Sequence, residues 1–153
     1  MFLGDFSLTV EKKECDCNLI ARKCSGTLGF IAPEVINDNK YDEKCDIFSL
    51  GCLFYFLHRG QSLFHGKTNN EICNMTCDKG AIERKIKSLR NLNEKSDDLL
   101  RKFLEIDPKK RISAEDALNH EYFEKMDLYK VWTGEEDRTL REYVMTRISK
   151  SFK

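Results

Sequence analysis

The sequence has no excess of charge of either sign: 26 Lys and Arg face 26 Asp and Glu in 153 residues. A neutral chain exerts no general pull on nucleic acid or anionic lipid, so neither is an expected partner. Long hydrophobic runs are missing too. The longest strongly apolar stretch, residues 47–57, falls well short of the roughly 20 residues a membrane helix needs. No internal repeat or low-complexity tract occurs, which sets aside solenoids and linker-like chains. Asp5 interrupts the apolar start at once, unlike a secretory leader. The expected compartment is therefore the cytosol or the nucleus. The seven cysteines are odd in number, and Cys45, Cys52, Cys73 and Cys77 fall in helix-like segments. The close pairs Cys15/Cys17 and Cys73/Cys77 have neither a histidine at zinc-site spacing nor a second C-x-x-C. Reduced thiols are expected rather than disulfides or a zinc site.

What is present reads as one globular domain, with 41% apolar and 34% charged residues. Residues 1–10 begin like a short strand, and 11–29 are polar, cysteine-rich and without period, so a long surface loop is expected there. Pro33 opens a short helix to about Ile36, ended by Asn37-Asp38-Asn39. Residues 43–58 form the strongest helical pattern, apolar on every side, and such a helix needs a large core around it. Further helices are expected over 69–77 and over 96–106, where Leu99, Leu100, Phe103 and Leu104 share a face and Asp107-Pro108 makes the stop. Ser113-Ala-Glu-Asp116 resembles a capping box opening a short helix to His120. Leu140, Val144 and Ile148 mark an amphipathic helix over 137–150. The expected fold is mainly α.

Four stretches carry more than periodicity. They are Leu3-Gly4-Asp5-Phe6-Ser7, the run from Cys24 to Glu34 closing on Ala32-Pro33-Glu34, Asp46-Ile-Phe-Ser-Leu-Gly51, and the run from Asp107 to Phe123. In this order and spacing they resemble the large C-terminal lobe of a eukaryotic protein kinase, beginning at the D-F-G metal motif and running through A-P-E to the closing motif of the domain. The resemblance covers residues 1–123 and leaves 124–153 as a helical extension. It implies a partial C-terminal lobe of a fold that is α+β when complete. The sequence before Ala32-Pro33-Glu34 is similar to serine/threonine kinases, and residues 63–72 with the closing motif look most like the calcium/calmodulin-dependent group.

The resemblance implies a role for each matching residue. Asp5 matches the aspartate that binds the Mg²⁺ bridging the ATP phosphates, a hard cation suited to carboxylate oxygen. Ser7 replaces the glycine that follows in the family and restricts the backbone there. Glu34 matches the glutamate that pairs with the arginine of the closing motif, here Arg111. Thr27 matches the threonine of the substrate-peptide platform, with Leu28 and Phe30 where Pro and Tyr are commoner. Asp46 matches the aspartate that accepts from the backbone of the catalytic loop, and a helix N-terminus also favours a carboxylate there. Thr9 and Ser25 are candidate phosphosites, although ordinary loop hydroxyls are the favoured reading.

The sequence contains no Gly-rich loop, no strand lysine for the ATP phosphates and no H-R-D catalytic loop; His58-Arg59-Gly60 follows the buried helix and has Gly where Asp is needed. By resemblance the function is protein serine/threonine phosphorylation with ATP and Mg²⁺, represented by a C-lobe fragment. Binding of either cofactor and activity by this chain alone are not expected. The alternative is a non-catalytic, pseudokinase-like interaction module. Its expected partners are a protein substrate, a kinase N-lobe or another chain covering the exposed helix. Arg138, Arg141, Arg147 and Lys150 around the last apolar stripe also suit a calmodulin-like partner, against the plainer reading of a helix packed on the lobe or solvated.

Overall fold

The computed structural model describes residues 26–38, 41–89 and 92–124. They divide into two compact units between Ala114 and Glu115. Among the described residues every regular element is helical. The strand expected over 1–10, most of the loop over 11–29 and the helix over 137–150 lie outside them.

Helix α1 spans Pro33–Asp38, two residues beyond the expected end. Proline suits this first position, where its missing N–H would have no intrahelical partner. Helix α2, Glu43–Arg59, is the longest. Asp42 caps it by accepting from the Lys44 amide at 2.9 Å, and the Gly60 amide closes its far end on the Phe56 carbonyl at 2.7 Å. Its inward stripe is Ile47, Phe48, Gly51, Cys52 and Tyr55, spaced as one helical face. Leu50, Phe56 and Leu57 remain 43%, 41% and 55% exposed, so among the described residues one side of this largely apolar helix is left uncovered.

Helix α3 occupies Asn69–Cys77 as expected. Thr68 accepts from the Glu71 amide at 3.2 Å while Glu71 reaches back to the Lys67 amide at 2.7 Å. Helix α4, Lys79–Lys87, was not expected from the sequence. Gly80 in its first turn and a nine-residue length hide it. Its signals are the Asp78 cap on the Gly80 amide at 2.8 Å and the pair Ile82 and Ile86 one turn apart. Helix α5, Glu94–Phe103, starts two residues earlier than the sequence suggests. Asn93 is the cap, and Ser96, taken from the sequence as the start, is bound by that cap through its amide at 2.8 Å and its hydroxyl at 2.9 Å. Helix α6 covers Ala114–Leu118, followed by a 3-10 turn at Glu121–Phe123.

The first unit packs α2 against α5, α3 against α4 and α1, and α4 against α5. The closest approach is at Gly51, where a β-carbon would stand 2.7 Å from Phe103 Cβ and 2.9 Å from Leu104 Cδ2. Only glycine lets these two helices come so near. Phe48 stacks on Phe64 at 6.2 Å between ring centres, and Phe54 meets Phe103 edge-on at 6.1 Å. Phe48, Cys52, Tyr55, Leu63, Leu100 and Leu104 lie in one buried cluster with Ile31, Ala32 and Val35. The segment leading into α1 is thus part of the core rather than a strap over it.

Candidate functional site

The described residues open on a tight turn. The Phe30 amide donates to the Thr27 carbonyl at 3.0 Å, with Thr27 exposed and Leu28 and Phe30 half-buried. Gly29 adopts φ +89, a left-handed angle, and a β-carbon there would come within 3.1 Å of the Phe64 carbonyl. The following Ile31 and Ala32 are buried and lead straight into α1.

Glu34, in the first turn of α1, meets Arg111 from the loop after α5. The guanidinium grips the carboxylate as a fork, with Nη1 to Oε1 at 2.6 Å and Nη2 to Oε2 at 2.9 Å. The rest of the guanidinium is equally engaged. Nε donates to the Glu105 carbonyl at 2.7 Å, Nη1 to the Lys44 carbonyl at 2.7 Å and Nη2 to the Ile106 carbonyl at 3.1 Å. All five N–H donors that an arginine carries are therefore used. The Arg111 side chain is 0% exposed and Glu34 8%, and the guanidinium carbon lies 5.0 Å from the centre of the Phe48 ring. Lys44 returns the contact, its Nζ donating to the Arg111 carbonyl at 2.6 Å. A buried charge pair is tolerable only when it is completely hydrogen-bonded, and here it is. One side chain ties α1, the start of α2 and the loop after α5 together.

Asp46 lies in the first turn of α2, exposed, its carboxylate 4.0 Å from the Cys45 thiol. Burial, then Asp46, push the Cys45 thiol up from 9.0 to about 11. Three turn-and-helix features thus meet around α2: the Thr27 turn, the Glu34–Arg111 pair and Asp46. Asp5, Thr9 and Ser25 lie outside the described residues. The described residues contain no group of three His, Cys, Asp or Glu side chains arranged for a metal ion. Cys45, Cys52, Cys73 and Cys77 are free thiols. No helix among the described residues is long and apolar enough to cross a membrane.

The model of the protein kinase domain matches residues 2–123. The chain belongs to the protein kinase family. Calcium-dependent protein kinase 3 of Plasmodium berghei is 37% identical over 121 residues, which cover 79% of this chain and 21% of the relative. A probable myosin light chain kinase of Dictyostelium discoideum is 30% identical over 125 residues, 82% of this chain and 25% of that kinase. A serine/threonine-protein kinase of Schizosaccharomyces pombe is 36% identical over 104 residues, 64% of this chain and 22% of its own length. The chain spans about a fifth to a quarter of the curated relatives it matches.

Two residues of this kinase-family site carry no signal that the sequence alone makes legible. Lys44 acts through its carbonyl and its amine on Arg111, at a separation of 67 residues. Ser49 sits inside the Asp46–Gly51 motif, yet nothing in the motif tells which carbonyl its hydroxyl reaches.

Proposed function

We propose that this chain supplies the end of the activation segment and its helical support in a serine/threonine protein kinase, whose complete domain transfers phosphoryl groups from ATP to protein hydroxyls. The observation that carries the reading is the buried, fully satisfied Glu34–Arg111 fork, which joins two motif positions 77 residues apart. An ion pair so deep and so distant in sequence serves to hold the segment before α1 in one place, which substrate binding by a kinase requires. On this reading residues 1–123 form the kinase part and 124–153 a helical extension. Asp5 is the Mg²⁺ ligand, Thr27 belongs to the peptide platform, Asp46 meets the catalytic loop, and Glu34 and Arg111 are structural. Positioning and electrostatics supply nearly all catalysis in phosphoryl transfer, so activity is expected of the whole domain rather than of this stretch.

The exposed Leu50, Phe56 and Leu57 favour a second reading, in which the chain is a non-catalytic module that binds another protein through α2. Sequencing the transcript through its 5′ end separates the two. A frame continuing upstream through a strand lysine and an H-R-D-x-x-x-x-N loop is expected, and in that product D5N should abolish phosphoryl transfer while leaving the fold intact. A message that opens at Met1 overturns the catalytic reading and leaves the module.

A further inference from the structure

Ser49 lies in the middle of α2, half-buried, with a single hydroxyl proton to donate. Its Oγ is 3.1 Å from the Cys45 carbonyl, one turn back along its own helix. Helical serines ordinarily satisfy themselves there. The shorter contact, at 2.8 Å, is to the Phe30 carbonyl, 19 residues earlier and in a different part of the fold. Phe30 closes the exposed Thr27 turn, and the turn's own internal bond is the 3.0 Å contact from the Phe30 amide to the Thr27 carbonyl. Just beyond it the chain is held far more firmly, by the burial of Ile31, Ala32 and Val35 and by the Glu34–Arg111 fork. The turn is therefore anchored rigidly on one side, while its last carbonyl is pinned by one hydroxyl from α2.

We infer that Ser49 is a positioning residue: its hydroxyl fixes the Thr27–Phe30 turn against α2 and so sets the shape of the surface offered to a protein substrate. The part that concerns substrate rests on the kinase reading above, whereas the tether itself does not. Because α1 and the core hold the chain from Ile31 onward, losing the hydroxyl should loosen the turn without loosening the helices. A serine that merely supports α2 would do the opposite and weaken the helices with the turn.

Amide hydrogen exchange on the full 153-residue chain, comparing wild type with S49A and S49T, tests this. In S49A the Phe30 amide should exchange about tenfold faster, the order of one lost hydrogen bond, while the amides of Leu99 and Leu100 keep their protection. S49T, which retains a hydroxyl on a rotamer-restricted side chain, should restore most of the Phe30 protection. Equal loss at Phe30 and in α5, no change at Phe30, or failure of threonine to restore it would each overturn the tether. Fluorescence polarisation of the complete kinase domain with a serine-centred peptide library reads the substrate half: S49A should weaken peptide binding several-fold and S49T should recover it. A complete wild-type domain that binds none of the library sinks the platform reading, and the substrate half with it, while the exchange result still decides the tether.

Discussion

Two arginines in the first unit grip carboxylates in opposite surroundings. Arg111 is entirely buried and every donor of its guanidinium meets a fixed acceptor. Arg101, on α5, binds Asp97 one turn back through Nε at 2.6 Å and Nη2 at 3.2 Å, and also Glu83 on α4, yet its side chain is 31% exposed. By distance alone the two sites look equally strong. They differ in what the arginine leaves behind if removed. At Arg101 water takes over the carboxylates; at Arg111 the Glu34 charge stays buried without its partner, and three part-buried backbone carbonyls lose their guanidinium donors. The value of an ion pair lies in the state that follows its loss, not in its length.

The most severe way to break the comparison is R111A. It should cost the chain about 3–5 kcal/mol, enough to remove most of the stability of a small domain. R111K should recover little, because an ammonium cannot reproduce the fork or reach all five acceptors. Urea unfolding followed by circular dichroism measures both. A loss in R111A no greater than that of an exposed pair would mean that Glu34 finds water when Arg111 is gone, and the contrast between the two sites would collapse.

The second effect is read at Cys45, whose neighbour Lys44 contributes a carbonyl to Arg111. With its thiol at about 11 rather than 9.0, Cys45 at pH 8 should hold roughly a hundredfold less thiolate than in the unfolded chain, and should alkylate correspondingly slowly. The folded value lies above the unfolded one, so protonation favours the folded state. Its contribution is complete below about pH 9 and is lost as the pH rises through about 11. R111A should let iodoacetamide reach Cys45 quickly at pH 8, whereas R101A should leave the rate unchanged. D46N, which removes an exposed negative charge beside the thiol, should raise the rate modestly. Mass spectrometry of the labelled peptide follows all three. Fast labelling in the unmodified folded chain would contradict the burial of this corner.

How much of this was legible beforehand depends on the kind of signal each residue leaves. Glu34 and Arg111 lie in stretches of sequence whose order and spacing are recognisable, so the pair is an expectation before it is a distance. The helices with strong apolar stripes, α2 and α5, are legible from periodicity to within three residues at each end. Helix α4 is not, because two isoleucines and a glycine-bearing first turn are too little pattern in nine residues. The start of α5 is misread because Ser96 looks like a cap, while Asn93 occupies that place and binds Ser96 itself. Ser49 and Arg101 leave no long-range trace at all. A hydroxyl or a guanidinium on a helix announces only that it can donate, and the acceptor 19 or 18 residues away is chosen by packing.

Packing supplies a third, smaller effect, at the crossing that brings α5 beneath α2. In G51A the new β-carbon meets Phe103 Cβ and a Leu104 methyl inside contact distance, and Phe103 Cβ is fixed to its backbone. The helices must part slightly, a strain of about 1–3 kcal/mol, partly offset by up to about 1 kcal/mol from the better helix propensity of alanine. A net loss of about 1–2 kcal/mol in urea unfolding is expected. A stabilised G51A would show that the crossing yields, and that α5 does not hold the Arg111 loop rigidly against α2.

The smallest effect is at Arg101 itself, and it sharpens the comparison most, because here distance and value part company. R101A should cost less than about 1 kcal/mol, since the pairs with Asp97 and Glu83 are half-exposed and water replaces the guanidinium. The loss should shrink further in 0.5 M salt, where surface pairs are screened. The residual loss then belongs to the aliphatic stem across the α4–α5 contact. A double-mutant cycle of R101A with E83A, read from urea midpoints at low and high salt, isolates the ion-pair part. Coupling of several kcal/mol that survives high salt would mean that Arg101 is held as firmly as Arg111, and that exposure is a poor guide to what this lobe depends on.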